Sequence, residues 1–403
     1  MLISILFFLF KLVFIYSALS VAYLFLLSVG GRFFYRNKFT GTNASGFHHI
    51  AILVPAYKED FIIESTARNL LRLDYPRECF EIFIIADSFK DNTLYRLRQL
   101  PLKLIEVSFV KSTKTKSLNE AFSRIKENFD IALICDADNM LVKDFLKKIN
   151  EAFASGARAV QGMRVAKNLD TSFAILDACS ESINNNIFRK GANALGLSSS
   201  VIGSGMAFEY ERIKKIMSGI QAVGGFDKIM QLKVVEQGIK IRYLDDAIVF
   251  DEKVDSSHAF HQQRKRWVSS QFIYLKQFFL PALKQLSKGN LSYFNLAIAN
   301  NLVLPRAFLL ILLPLLLLTS FFISVTWTLL SALLMVAYLC SLSFGIPAAF
   351  VNRQLIVALL RLPKAIGVMV GALFQIKKAN KTFIHTVHTK TEVSNTLFND
   401  HGN

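Results

Sequence analysis

The sequence has little cysteine, little tryptophan and a shortage of acidic residues. Four cysteines and two tryptophans occur among its 403 residues. The cysteines show no CxxC or CxxxxC spacing, so the sequence predicts neither a zinc site nor a disulfide framework, and a reducing compartment fits best. Asp and Glu number 30 against 47 Lys and Arg, which gives a net charge of +17.

This positive charge has two interpretations, nucleic-acid binding or a membrane protein whose cations face anionic lipid. Hydrophobic residues make up 52% of the chain, with 36 phenylalanines, and the mean hydropathy is +0.37. An apolar excess of this size requires a bilayer. We therefore expect membrane lipids as partners and no specific nucleic acid.

Residues 1–30 are almost wholly apolar, with Lys11 as the only charge in the run. About 20 apolar residues suffice to cross a bilayer, so this segment predicts an N-terminal transmembrane helix. A cleaved signal peptide is the alternative, but it would need a shorter apolar core and an earlier basic residue. Arg32, Arg36 and Lys38 follow at once, which places the next part of the chain in the cytoplasm.

The last third of the chain returns to a membrane pattern. Residues 302–346 carry two apolar runs joined by a short link, which predicts a transmembrane hairpin with Trp327 near the outer interface. Residues 271–292 and 353–376 mix Lys or Arg with apolar residues and predict helices lying in the interface. Residues 377–403 form a basic, then polar tail that we expect to fray. Three crossings make this a multi-pass protein of the cell (inner) membrane.

Between these segments, residues 48–270 have the pattern of an α/β domain. Short apolar runs end in polar residues and alternate with helical stretches such as Ser65–Leu73 and Lys116–Glu127. Such runs predict buried parallel strands, and open α/β sheets bind ligands at the carboxyl ends of their strands. The three runs are Ile50–Val54, Phe80–Ile85 and Ile131–Cys135.

Asp136 and Asp138 directly follow the third of these runs. Residues i and i+2 of an extended chain point to the same side. Two carboxylates so placed can hold a hard divalent cation, with diphosphate oxygens completing its shell. A solvated turn is the alternative explanation for the pair.

Other strand ends supply groups that suit a phosphorylated donor. Asp87 can accept hydrogen bonds from a base or ribose, and Lys114 is a natural phosphate partner. Each of these residues taken alone is explained equally well as a polar surface side chain. The candidate donor-binding residues are Pro55, Tyr57, Glu59, Asp87, Lys114 and Asp136.

A second pattern is Gln263, Arg266 and Trp267, which share one face of a helix. Arg266 can bind a leaving diphosphate, and Trp267 can stack on a sugar ring. A basic juxtamembrane helix is the alternative, and it explains the arginines but not the Trp or the Gln.

Together these motifs resemble the family 2 glycosyltransferases with the D, D, D, QxxRW set, which include cellulose, hyaluronan, chitin and poly-N-acetylglucosamine synthases and ceramide glucosyltransferase. The resemblance spans residues 48 to about 270. The matching blocks are Val54–Glu59, Leu73–Pro76, Ile85–Asp87, Asp136 with Asp138, Gly203–Phe208, and Gln263–Trp267.

The resemblance implies a GT-A fold, a Rossmann-like cytosolic α/β domain inserted between transmembrane helices. It also implies a nucleotide-sugar donor, with UDP as the nucleotide, and Mg²⁺ or Mn²⁺ at Asp136 and Asp138. The acceptor would be a polysaccharide or a lipid. The residues assigned to the acceptor are Gly203, Ser204, Gly205, Gln263 and Trp267.

The implied reaction inverts the anomeric carbon and requires a carboxylate base for the acceptor hydroxyl. Asp227 falls where the family has its base, but Phe226 replaces the usual acidic neighbour. Asp245, Asp246 and Asp251 are rivals, although the first two are expected to close a turn after Ile239–Tyr243.

The sequence thus supports several functions. A polysaccharide synthase is the main hypothesis, with Asp227 as base. Single addition of a sugar to a membrane lipid is the alternative. A non-catalytic membrane scaffold is a hypothesis of another class, and the set Asp136, Asp138, Asp227 and Gln263 argues against it. A nucleic-acid binder is the remaining rival, for which we expect only weak nonspecific binding.

Overall fold

The computed structural model describes residues 1–39, 46–222, 224–254, 257–363, 366–367 and 388–395, with the backbone alone for 257–262 and 264–268. These residues form an eight-stranded sheet flanked by helices. Its strands are β1 (Ile50–Tyr57), β2 (Phe80–Asp87), β3 (Lys103–Val107), β4 (Ile131–Ile134), β5 (Met140–Leu141), β6 (Ala159–Ala166), β7 (Met206–Glu209) and β8 (Arg242–Asp251).

The helices of the sheet domain and of the apolar segments follow in chain order. They are α1 (Leu2–Val29), α2 (Ile63–Leu70), α3 (Asp91–Arg98), α4 (Lys114–Arg124), α5 (Phe145–Ala154), α6 (Ser172–Asn184), α7 (Ala192–Ala194), α8 (Tyr210–Ser218), α9 (Phe226–Glu236), α10 (Ser257–Ser287), α11 (Leu291–Phe294), α12 (Asn300–Leu302), α13 (Arg306–Phe321), α14 (Val325–Ser343) and α15 (Arg353–Leu360).

The strand order is β3-β2-β1-β4-β7-β6-β8-β5. β1 pairs in parallel with β2 and β4, and β2 with β3. β7 runs antiparallel to both β4 and β6, whereas β6 and β8 are parallel. The parallel half therefore brings the carboxyl ends of β1, β2 and β4 to one edge, where α/β sheets bind ligands.

Alternate side chains of β1 enter different cores on the two faces of the sheet. Ile50, Ile52 and Val54 pack with α2 and α5, whereas Ala51 and Leu53 pack with α4, α8 and α9. All five are fully buried. This burial on both faces explains why the strand reads as a continuous apolar run.

β1 is longer than the sequence predicts, since it runs through Pro55 to Tyr57. The Leu53 carbonyl accepts a hydrogen bond from the Cys135 amide on the β4 side, and strand alternation turns Pro55 to that same side. Pairing with β4 ends at Leu53, so the missing N–H of Pro55 leaves no ladder bond unmade. On the other side of β1, Tyr57 pairs with Asp87 of β2 at the ends of the two strands.

The expectation that Asp245 and Asp246 close a turn is wrong. Both residues lie within β8. Asp245 pairs with Lys190 at 2.7 Å, and Asp246 accepts a hydrogen bond from the Asn37 side chain at 2.7 Å. They lie in an irregular stretch of β8, where its register against β6 jumps from Leu244 to Ile248.

Within the described part of the chain, two helices are long and apolar enough to cross a membrane. They are Leu2–Phe34, in which α1 continues into a π-helical turn, and Val325–Ser343. Leu291–Leu302 and Arg306–Phe321 pass only when counted as one span, and they are bent by 56°. The sequence places the start of this apolar run at residue 302, but α13 begins at Arg306 and has 16 residues, fewer than the ~20 that cross a bilayer alone.

The first helix meets the sheet domain through glycines. A Cβ added to Gly31 would clash with the Asn186 backbone, and one added to Gly191 would clash with the Leu27 backbone. The Asn186 amide also donates to the Ser28 carbonyl at 3.1 Å. Only glycine allows two backbones to approach so closely. This contact, the glycine junction, joins α1 to the π-helical segment Asn185–Gly191 that follows α6.

The boundary expected between residues 270 and 271 falls inside α10, which is continuous over 31 residues. Tyr274 and Ala282 on one side of this helix are buried against the sheet domain. Phe272, Phe279 and Leu280 on the other side are exposed. The amphipathic segment predicted over residues 271–292 therefore begins as part of the helix that carries Gln263.

The C-terminal part differs from a frayed tail where it is described. Residues 388–395 pack on the ends of β6 and β8, and Asn395 is buried there. Of the interface helix predicted over residues 353–376, α15 is described and packs on α6. Residues 364–365, 368–387 and 396–403 lie outside the described part of the chain.

Candidate active site

A cleft of about 950 Å³ opens at the carboxyl ends of β1, β2 and β4. Its polar end is lined by Asp87, Asp136 and Asp138, and it passes Asp227 before reaching an apolar arm. Helices α6, α13 and α15 supply the walls of this arm. Representative side chains of the arm are Leu176, Ile183, Leu304, Leu310, Leu355 and Leu359.

Three carboxylates converge at the polar end. Ligand oxygens of Asp136, Asp138 and Asp251 all lie within 4.8 Å of one another. The Asn139 amide donates to the Asp136 carbonyl at 3.1 Å, so a turn brings the first two together, rather than the extended chain that the sequence suggested. The Glu252 amide donates to Asp138 Oδ2 at 2.8 Å. We name these three residues the acidic cluster.

The electrostatics of the acidic cluster suit a divalent cation. Burial raises the pKa of Asp138 to about 6, and the carboxylates of Asp251 and Asp136 add to this rise against the opposing charge of His388. Burial also acts on Asp251, but the neighbouring Arg164 and Lys253 outweigh it and lower the pKa of that carboxyl. Closely packed carboxylates with oxygen ligands fit Mg²⁺ or Mn²⁺.

Lys114 links the acidic cluster to the loop that carries Gly203. Its ammonium group pairs with Asp136 and donates to the Gly203 carbonyl at 2.7 Å. It also lies 5.4 Å from the centre of the Phe226 ring, a distance at which cation and ring attract. Lys114 stands at the start of α4, so the helix N-terminus adds to the positive field there.

The other donor candidates line the same end of the cleft. Pro55, Tyr57 and Glu59 line it, and so does Asp87, which pairs with Tyr57 on the neighbouring strand. Asp87 is fully buried, and the Ser88 hydroxyl donates to it at 2.9 Å. The structure thus brings together the predicted donor residues of the strand ends.

Asp227 occupies the first turn of α9, as the sequence predicts, and lines the cleft. Burial raises the pKa of Asp227, while Lys228 and Lys114 oppose the rise. A carboxylate with a raised pKa is a better base than an ordinary one. Gly225, two residues before Asp227, has φ +66°, and a Cβ at this position would clash with the Tyr274 side chain.

The loop of Gly203, Ser204 and Gly205 lines less of the cleft than the sequence suggested. Gly203 lines the cleft, but Ser204 is fully buried beneath it. The Gln161 amide donates to the Ser204 carbonyl at 2.9 Å, and Gly205 packs so closely on Val249 that a Cβ would clash. Ser204 and Gly205 therefore shape the loop from below instead of facing the cleft.

The QxxRW residues lie on α10 beside the cleft. Gln263 lines it. The side chains of Arg266 and Trp267 lie outside the described residues, so their assigned roles stay predictions.

Sequence reasoning missed several groups at this site. Asp251 was considered only as a base, yet it stands with the acidic cluster. Glu181 on α6 forms buried ion pairs with Arg164 at 2.8 Å and Arg189 at 3.1 Å. His388 bonds Glu59 at 2.9 Å. Burial favours the neutral ring, but Asp138, Glu59 and Glu252 outweigh it and raise the pKa of His388 to about 10.

The chain is similar to known transferases. It is 25% identical over 249 residues to the probable glycosyltransferase YdaM of Bacillus subtilis, covering 57% of this chain and 58% of that protein. It is 24% identical over 235 residues to the beta-monoglucosyldiacylglycerol synthase of Synechocystis sp., covering 55% and 47%. The chain spans about half the length of these curated relatives.

Among solved structures, the mannosyltransferase PcManGT from Pyrobaculum calidifontis, in complex with GDP-Man and Mn²⁺, superposes with a TM-score of 0.53 at 17% identity. The match covers 89% of this chain and 99% of that one, and it shows a shared GT-A-like fold. A family model described as glycosyltransferase like family 2 matches residues 48–270. The chain therefore belongs to this family of glycosyltransferases.

Proposed function

We propose that this enzyme transfers a single sugar from a nucleotide-sugar donor to a membrane lipid. The observation that carries the proposal is the continuity of the cleft, which runs from the acidic cluster past Asp227 into the apolar arm. A donor held at the polar end and a lipid held in the arm would meet at Asp227.

The polar end suits a nucleoside diphosphate. The acidic cluster would hold a divalent cation, which when bound neutralises charge on the diphosphate. Lys114 supplies a further positive charge beside Asp136, and Arg266 is our candidate for the leaving phosphate. Asp87 at the end of β2 is placed to accept hydrogen bonds from the nucleoside. Transfer assays with UDP-sugars and GDP-sugars distinguish the two candidate nucleotides.

The reaction is a single displacement. Asp227 accepts the proton of the acceptor hydroxyl as that oxygen forms a bond to the anomeric carbon. The bond from this carbon to the diphosphate oxygen breaks at the same time, so the nucleoside diphosphate leaves with the electron pair. Attack from the face opposite the leaving group inverts the anomeric carbon.

The apolar arm favours a lipid acceptor over a polysaccharide. Its walls include Leu176, Leu310 and Leu359, and such side chains bind hydrocarbon better than hydroxyl-rich chains. Relatives of this chain include beta-monoglucosyldiacylglycerol synthases, whose name denotes a glycolipid. Asn300 and Gln271 also line the cleft, and their amide oxygens would contact a polar headgroup.

The apolar helices support a position of this cleft at a membrane. We propose that α1, α14 and the bent pair ending in α13 span the cell (inner) membrane, with the sheet domain on the cytoplasmic side. Trp327 at the start of α14 contacts Phe10 and Phe14 of α1, so the two helices share an end away from the sheet domain. The exposed aromatics of α10 and the apolar face of α15 would lie in the interface.

The test is incubation of the purified protein with radiolabelled UDP- and GDP-sugars, Mn²⁺ and vesicles containing diacylglycerol. We expect one labelled sugar per lipid, recovered in the organic phase. A high-mass labelled polymer would instead support the polysaccharide acceptor. Label that stays on the nucleotide with every donor and acceptor would contradict the proposed transfer.

A further inference from the structure

The chain returns to the acidic cluster after its apolar helices. Residues 388–395 lie across the ends of β6 and β8, and His388 and Thr389 line the polar end of the cleft. The amides of Thr389 and Lys390 both donate to the Glu252 carboxylate, at 3.0 and 2.9 Å. We name residues 388–395 the strap.

The strap is fixed at its far end as well. The backbone amide and the side-chain amide of Asn395 donate to Lys167 and Ala166 carbonyls at 3.1 and 2.7 Å. Asn395 is only 1% exposed, and Lys390 forms an ion pair with Asp170 at 2.6 Å. A segment held by backbone bonds, a buried amide and an ion pair has a defined position on the domain.

Both ends of the strap contact residues that touch the acidic cluster or stand beside it. Glu252, which accepts the strap amides, donates its own amide to Asp138. Lys167, whose carbonyl accepts the Asn395 amide, donates its ammonium group to the Asp138 carbonyl at 3.0 Å. His388 bonds directly to Glu59 at 2.9 Å, and Glu59 is buried in the donor wall.

We propose that the strap completes the donor-binding site, with His388 as a positioning residue that fixes Glu59 beside the acidic cluster. This inference rests on the proposed function, since it concerns the donor of that reaction. The strap supplies the wall of the donor site that the sheet domain leaves open, and it comes from the part of the chain that follows the apolar helices.

The test measures the affinity of the purified full chain and its variants for UDP and for GDP with Mn²⁺, by isothermal titration calorimetry. A chain ending at Val387 lacks the strap, whereas a chain ending at Asn395 keeps it and is the matched control. We expect the first to lose roughly tenfold to hundredfold in nucleotide affinity, the range typical of groups that orient ligands. We expect the second to bind like the full chain.

Point variants separate positioning from folding. His388→Ala should raise the KM for the donor and leave the KM for the acceptor and the melting temperature unchanged. His388→Gln should recover part of the loss because its amide can still donate to Glu59. Glu211→Gln, on an exposed residue of α8 outside the cleft lining, should behave as wild type. These variants decide the question if the chain ending at Val387 does not fold.

Unchanged nucleotide affinity in His388→Ala would overturn the inference. A variant that loses thermal stability and both substrate affinities together would also overturn it, because that result indicates a structural role alone. Failure of the full chain to bind either nucleotide would instead count against the proposed function.

Discussion

Arg164 donates to Glu181 across 2.8 Å, and both side chains are nearly buried, at 12% and 5% exposure. Glu181 also pairs with Arg189 at 3.1 Å, so one carboxylate serves two buried guanidinium groups. Arg164 in turn reaches Asp251 of the acidic cluster at 3.6 Å. Glu181 of α6 therefore holds Arg164 beside the acidic cluster, and the same helix forms a wall of the apolar arm.

Glu181→Gln should destabilise the fold strongly. It removes the charge that compensates two buried arginines, and breaking such a pair from one side costs roughly 3–5 kcal/mol. The matched control is Glu209→Gln, since Glu209 pairs with Arg158 at the surface with side-chain exposures of 34% and 45%. Exposed pairs contribute about 1 kcal/mol or less. Chemical denaturation of both variants measures the difference, and equal losses would contradict the assigned role.

The buried ion pairs of Glu181 also predict a loss of folding stability in acid. Burial opposes ionisation of Glu181, but Arg164, Arg189 and Lys253 outweigh it and lower its pKa. A lowered pKa in the folded state stabilises the fold above the unfolded value of about 4.3. That contribution disappears as the pH falls through the folded pKa. Wild type should lose stability below about pH 4 more steeply than Glu181→Gln, as thermal melts across that range would show.

Asp227→Asn should abolish transfer without harming the fold. We expect the rate to fall by at least about 10²–10⁴-fold because the base is lost, while UDP or GDP still binds with Mn²⁺. Since burial raises the pKa of Asp227, its charged form costs stability at neutral pH, and the variant should melt no lower than wild type. Full transfer activity in this variant would refute the assignment of the base.

The raised pKa of Asp227 also sets a pH dependence. The base is active when ionised, so the rate should decline as the pH falls through its folded pKa, which lies above the ordinary value of about 3.9. The profile of kcat/KM against pH measures this limb. A rate that stays constant down to the ordinary pKa would argue for a different base.

The acidic cluster should bind the divalent cation through all three carboxylates. Asp251→Asn should weaken Mn²⁺ affinity in the presence of nucleotide by about tenfold or more, since each carboxylate is a charged oxygen ligand. Asp245→Asn is the control, because Asp245 lies on the same strand and pairs with Lys190. Calorimetric titration of Mn²⁺ separates the two. Equal affinities would remove Asp251 from the proposed site.

The apolar arm should determine use of the lipid. Leu359→Trp would narrow the arm, which Leu359 lines, and we expect the KM for a lipid acceptor to rise several-fold while hydrolysis of the donor continues. Leu360→Trp is the matched control, since Leu360 is the next residue of α15 and is 77% exposed. If both variants transfer sugar to lipid equally well, the acceptor does not enter through the arm.

Local sequence patterns predicted the parts of this molecule that depend on neighbours in the chain. β1, β2 and β4 were recognisable because strands buried on both faces are continuously apolar. Asp136 and Asp138 were recognisable because they follow such a strand. The matched family and the GT-A-like fold confirm the α/β interpretation, whereas the role of Asp136 and Asp138 stays a prediction.

Features formed by distant segments were not predictable in this way. Asp251 reaches the acidic cluster because β8 pairs with β6 and β5 at the far side of the sheet, a pairing that no local pattern encodes. The strap is held largely by backbone amides, which carry no sequence signature. The apolar arm arises where α6 packs beside α13 and α15, although each helix alone resembles an ordinary buried or membrane helix.

The glycine junction has a consequence for how substrates reach the enzyme. Gly31 and Gly191 bring the backbone of the first apolar segment and that of the sheet domain into direct contact, and the Asn186 amide bonds across them. Neither part can tilt against the other without losing this fit. In the proposed membrane arrangement, the height of Asp227 above the bilayer would therefore be fixed, and a lipid acceptor would have to rise to meet this residue.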